Sequence, residues 1–210
     1  MTPFSENISN KLLAFCDGYP SRKDPATNVF VHTLMKSVRK HGVDVSVIAP
    51  APIFSLTRGV NFSTGSRKQE TLEGVPVNRP RYLSYSAKKI PLIGTTLAMS
   101  IGSLSSSALR VAAKEVDRPS VAYGHFLFSG GTCAIKVAEY FSIPSVVSLG
   151  ESSFDVYMEH FGRQMIKTQL HKFDKVIAVS NGLKEKCVEE FGYPTDGIRV
   201  IPNAVDPDMF

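Results

Sequence analysis

The chain lacks several things, and each absence removes a class of function. No uninterrupted apolar run is long enough to cross a bilayer as a helix. The opening MTPFSENISNKLL has no basic stretch followed by an apolar one, so no secretory signal is expected. Cysteine is scarce: Cys16, Cys133 and Cys187 lie far apart, are odd in number and show no metal-ligand spacing. Cys16 falls in an expected strand and Cys187 on an apolar helix face, so both read as small buried hydrophobes in a reducing compartment. There is no G-x-G-x-x-G fingerprint for a dinucleotide and no G-x-S-x-G for a hydrolase nucleophile. No nucleic-acid-binding module pattern is present, so no nucleic-acid partner is expected. Internal repeats, low-complexity tracts and clear linkers are also missing.

What is there fits one large domain. With 210 residues, 43% hydrophobic and 20% charged, the chain can bury a sizeable core. Its net charge of +5 is compatible with an anionic partner, although solvated lysines explain it equally simply. Residues 1–10 are polar and read as a disordered N-terminal segment, with the domain spanning 11–210. KLLAFC (Lys11 to Cys16) reads as a strand, and Asp17 to Asn28 as a turn-rich loop. Val31, Leu34, Met35 and Val38 mark a helix that Gly42 ends. Val43 to Ile48 alternates as a second strand. Ala49 to Thr71 shows no clear element, and Val75 to Arg79 is a short strand. Leu97, Ile101, Leu104, Ala108 and Ala112 stripe a long helix from Thr95 to about Val116. Strands at Val121 to Tyr123 and Ser145 to Leu149 flank a helix carrying Ala134, Val137, Ala138 and Phe141. Phe161 to Phe173 has helical character.

The last stretch, Lys175 to Phe210, organises the rest. Val176 to Val179 is a buried strand, with Ser180 or Asn181 as the following N-cap. Leu183, Cys187 and Phe191 form one helical stripe, closed by Gly192 and Pro194. A second strand, Arg199 to Ile201, completes a βαβ crossover, so the sheet is parallel. Strands alternating with helices throughout predict an α/β, Rossmann-like doubly wound sheet.

The same stretch carries a resemblance. A strand ending in V-S, a helix, then V-I-P-N-x-V-D and a phenylalanine four residues on resembles the retaining glycosyltransferases of family 4 (group 1). Where that family usually has Asn-Gly, this chain has Asn203-Ala204. The resemblance covers residues 11–50 and 120–210 and implies the N-terminal half of a GT-B fold. It further implies an enzyme that moves a sugar from a nucleotide-sugar donor to a glycan, lipid or other hydroxyl acceptor; with the reducing compartment read from the cysteines, a cytoplasmic location, peripheral to the membrane through the basic segment, is expected. No metal or cofactor is implied, and the donor is held mostly by the protein's own C-terminal domain. This half alone is therefore expected to be inactive. The competing reading is a non-catalytic Rossmann-like domain that binds a phosphorylated metabolite.

In doubly wound sheets ligands bind outside the carboxyl ends of the strands. That rule selects Pro20, Asn28, His125, Gly150, Ser180 and Asn203 as substrate-contact candidates. The loop from Asp17 to Asn28 either meets a phosphate or sugar hydroxyl through helix amides or merely connects two elements. The resemblance implies a glycine-rich loop there, and Asn28 stands near the usual glycine position. In YGHFLFSGG, Gly130 and Gly131 permit close approach to a helix N-terminus. The resemblance implies His-x-His-Phe there, of whose two histidines only the second, His125, is kept; it either contacts acceptor or packs beside the sheet. In SLGESS, Gly150 and Glu151 stand where related enzymes place a histidine-glycine pair. Glu151 is the catalytic candidate, able to receive a proton, bind sugar hydroxyls or simply cap the next helix. Finally, Arg79, Arg81, Lys88 and Lys89 alternate with Tyr82 and Tyr85 and suggest an anionic membrane or lipid-phosphate acceptor surface, the alternative being a solvated loop.

Overall fold

The computed structural model describes residues 10–22, 24–55, 59–60, 68–85, 89–90, 94–115, 117–150 and 154–203. Its principal elements are β1 (Lys11–Phe15), α1 (Val29–Lys40), β2 (Asp44–Ile48), β3 (Lys68–Leu72), β4 (Val75–Arg79), α2 (Thr96–Glu115) and β5 (Val121–His125). A π-turn at Phe126–Gly130 leads into α3 (Gly131–Phe141), followed by β6 (Ser145–Leu149), α4 (Phe154–Leu170), β7 (Lys175–Ala178), α5 (Asn181–Glu189) and β8 (Ile198–Val200).

These strands form one eight-stranded sheet in the order β8-β7-β6-β5-β1-β2-β4-β3. Every neighbouring pair is parallel except β3 with β4, an antiparallel hairpin at one edge. The chain builds outward from β1 in one direction and then returns to build outward on the other side from β5. The order therefore reverses between β1 and β5, and the crevice beyond their carboxyl ends is the ligand position of such a sheet.

The cause is visible in the burial of β1. Leu13 and Phe15 face a core shared with α2, α3, α4 and α5, whereas Ala14 and Cys16 face a second core shared with α1. Alternation within one strand, with both sets buried, demands cover on both faces. All three cysteines are free and buried, and burial pushes the Cys16 and Cys133 thiols up, as inert core residues require.

Two elements differ from the sequence expectation. KQETL, read as structureless, is the edge strand β3. A strand that pairs on one side only needs no apolar run, so its composition hides it. The helix expected from Phe161 begins earlier, at Phe154, and is interrupted at Gly162, which takes φ 75° and ψ 160°. Glycine is suited to that positive φ, and two shorter helical pieces result.

Candidate functional site

A cleft of about 530 Å³ opens where the strand order reverses. From the loop after β1 it is lined by Asp17, Asn28 and Phe30; from the turn after β5 by Phe126, Phe128 and Ser129. Gly150 after β6, Tyr157 of α4, Tyr82, and Leu97, Ile101 and Leu104 of α2 complete it. Its size and mixture of aromatic walls with a few polar groups are those of a small-molecule site. Among the described lining residues there is no lysine or arginine.

The floor is held by unusual backbone. Asn28 sits in the left-handed region at φ 48°, a conformation asparagine tolerates, and its side chain does not cap α1. Instead its amide donates to the Asp17 carbonyl at 3.0 Å, which fixes the loop against the strand end. Phe126 also has positive φ, 68°, immediately after His125. Such strain in a bulky residue persists only where the surroundings enforce it, and it collects at functional sites.

Gly124, Gly130 and Gly131 supply that enforcement. A Cβ on Gly130 would lie 2.2 Å from the Phe15 carbonyl oxygen, and one on Gly124 would lie 2.5 Å from Gly131 Cα. The two glycines after His125 thus let the turn press onto β1 and β5. Gly130 approaches Phe15 and His125, and Gly131 approaches Gly124.

His125 is buried, with its Nδ1 2.9 Å from the Tyr123 hydroxyl. Tyr123 is in turn hydrogen-bonded to Ser148. Burial alone lowers the His125 pKa to about 4, so the ring is neutral near pH 7. Its Nε2 is buried without a hydrogen-bond partner. A Cβ on Gly150 would lie 3.7 Å from that nitrogen, an ordinary contact distance, so Nε2 faces the cleft wall at Gly150. An orphaned polar atom costs stability unless something satisfies it. Asp17 reaches the cleft from the other side. Burial raises its carboxyl pKa, and a hydrogen bond with the Ser129 side chain opposes that rise.

Of the substrate-contact candidates, the structure brings Asn28, His125 and Gly150 together at the cleft. Pro20 is buried, its carbonyl accepting from Arg79. Ser180 is exposed and serves as the N-cap of α5, accepting from the Leu183 amide at 3.2 Å. Asn203 is exposed beyond β8. Glu151 and Lys88 lie outside the described residues, as does the Lys89 side chain. Arg79 is corrected from surface to scaffold: its guanidinium binds Glu70 at 2.6 Å and the Tyr19 carbonyl at 3.1 Å as well as Pro20. Arg81 is half-buried and donates to the Pro52 carbonyl at 3.4 Å. The sequence stripe of α2 had offered Leu97, Ile101 and Leu104 only as packing residues, and Ser129 and Tyr157 had no distinguishing signal.

Among the described residues no helix is long and apolar enough to cross a membrane, and no three His, Cys, Asp or Glu side chains group as a metal site.

Comparison with known proteins agrees with this architecture. Residues 27–209 match the family described as Glycosyltransferase Family 4, and the chain belongs to that family. It is 26% identical over 208 residues to TuaC of Bacillus subtilis (strain 168), a glycosyltransferase assigned to teichuronic acid biosynthesis. That match covers 95% of this chain and 51% of TuaC, so the chain spans about half the length of its curated relative. Among solved structures, UDP-GlcNAc 2-epimerase from Methanocaldococcus jannaschii shares the fold at TM-score 0.55 and 17% identity, over 92% of this chain and 45% of that one. HepE (Alr3699) of Anabaena, in complex with UDP-glucose, does so at TM-score 0.53 and 15% identity, over 95% and 45%. Arabidopsis thaliana UGT89C1 gives TM-score 0.54 and 14% identity, over 94% and 50%. The fold is thus the N-terminal half of the GT-B architecture.

Proposed function

We propose that this chain is the acceptor-side half of a retaining glycosyltransferase that moves a hexosyl group from a nucleotide sugar to a hydroxyl acceptor. The observation that carries this reading is the cleft at the sheet's reversal point, with the unpartnered Nε2 of a neutral His125 buried directly behind its lining residue Gly150. A neutral imidazole exchanges hydrogen bonds with sugar hydroxyls and does not act as a fixed cation toward a diphosphate. With no lysine or arginine among the described lining residues, the donor's diphosphate falls to a second, C-terminal domain. TuaC, about twice as long as this chain, leaves room for such a domain, and HepE was solved with UDP-glucose. The donor is a substrate, and the proposal requires no cofactor.

Residues 1–210 alone would then fold without turning over sugar. A cytoplasmic location and peripheral membrane contact through Arg81 and Lys89 belong to the same proposal. The alternative, a binding domain for a phosphorylated metabolite, is less well supported because that cleft offers no described cation to the phosphate. Mass spectrometry of the full-length protein incubated with a panel of nucleotide sugars and hydroxyl acceptors tests the reading. Transfer is expected, with retained anomeric configuration read by NMR of the product; absence of transfer and of nucleotide-sugar binding across the panel would overturn it.

A further inference from the structure

We propose that the cleft takes an uncharged sugar ring as its acceptor, held by Asp17, and rejects a phosphate at its floor. The inference rests on the glycosyltransferase reading and adds the chemical class of acceptor. Asp17 follows β1 directly and lines the cleft, while among the described residues no cation pairs with it. Asp17 is half-buried, and a carboxylate that no cation pairs keeps acceptor capacity for a ligand. Ser129, also lining the cleft, hydrogen-bonds its side chain, and Asn28 holds its backbone carbonyl at 3.0 Å. The carboxylate is therefore preset in position before a ligand arrives.

The opposite wall is aromatic. Phe128 packs edge-on to Tyr157 at 4.8 Å and stacks on Phe161 at 4.4 Å between centroids, which fixes the rings that face the cleft. A sugar ring presents exactly two kinds of surface, C–H faces and hydroxyl edges. The first suits an aromatic wall and the second suits a carboxylate. Behind Gly150 the unpartnered Nε2 of His125 adds a polar group to the wall of the cleft. A phosphate would instead meet the Asp17 carboxylate as a like charge, with no described cation lining the cleft to offset it.

The test uses the full-length protein with UDP at saturation, so that the donor side is filled. The probes are p-nitrophenyl glycosides of glucose, galactose, mannose and N-acetylglucosamine and the 6-phosphate of each, with dissociation constants from ligand-observed NMR. At least one neutral glycoside should bind, and its 6-phosphate should bind at least about tenfold more weakly. Asp17→Asn should weaken the neutral glycoside about 10- to 100-fold and narrow its advantage over the phosphate. Ser129→Ala, which removes the partner of that carboxylate, should weaken it about threefold with an unchanged thermal midpoint, and serves if Asp17→Asn fails to fold. Equal or tighter binding of the 6-phosphates would overturn the inference, as would unchanged affinity in folded Asp17→Asn. So would nucleotide-sugar binding with no glycoside bound at all. Glycoside binding with the predicted selectivity but no nucleotide-sugar binding would support the cleft assignment and count against the enzyme reading instead.

Discussion

The molecule contains the same local device twice, with different surroundings. Tyr19 hydroxyl lies 2.7 Å from His32 Nδ1, and Tyr123 hydroxyl lies 2.9 Å from His125 Nδ1. Both histidines are buried, and burial lowers the pKa of each. Both Nε2 atoms lack a hydrogen bond. Yet His32 Nε2 stands 3.8 Å from the Glu73 carboxylate. His125 Nε2 lies behind Gly150, a lining residue of the cleft, with a Cβ built there 3.7 Å away. A buried, neutral, tyrosine-bonded histidine is therefore not in itself a site. What the orphaned nitrogen faces makes the difference, and the fold decides that by placing one pair on α1 and the other at the sheet's reversal point.

The strongest way to break the comparison is at Gly130. Gly130→Ala would drive a Cβ onto the carbonyls of Phe15 and His125, at 2.2 and 2.4 Å. We expect a loss of about 3 kcal/mol or more in chemical denaturation, because the clash is with backbone and cannot be relieved by a rotamer. The turn that aims His125 would be lost with it, while the His32 pair has no part in that clash.

A pH titration sharpens it. The folded His125 pKa is about 4 against an ordinary 6.5. Between these values the unfolded chain binds a proton that the folded one refuses, so stability falls as pH drops from 6.5 to 4. The contribution is at most about 3 kcal/mol, read from urea midpoints across that window, and His125→Gln should remove it. Arg79→Ser should cost about 2 kcal/mol by deleting the brace between β3, β4 and the loop after β1, with no change in flotation on anionic vesicles. Gly150→Ala places a methyl 3.7 Å from Nε2 without a clash. Its thermal midpoint should move little, by about 0.5 kcal/mol or less, while kcat/KM of the full-length protein falls about tenfold.

Much of this fold was legible because buried parallel strands advertise themselves. VVSL, VIAV and KLLAF are near-continuous apolar runs, and their positions agree with β6, β7 and β1 to within a residue. KQETL did not show because an edge strand has no such requirement. The site was legible by place and less so by residue. The rule that ligands sit beyond strand ends pointed to the loop at Asp17, the turn after His125 and Gly150, which the structure brings together at one cleft. It could not separate Asn28, which lines the cleft, from Pro20, whose carbonyl is taken by an arginine 59 residues away. Nor could periodicity show that Arg79 turns inward, since its partner Glu70 lies on the strand that was missed.

The central claim is that His125, and not its counterpart His32, serves the reaction. Steady-state kinetics of full-length His125→Gln and His32→Gln, measured side by side with the same donor and acceptor, test it most directly. The account predicts a fall in kcat/KM of about 100-fold for His125→Gln and less than about twofold for His32→Gln. Equal losses in the two variants, or a larger loss for His32→Gln, would contradict it.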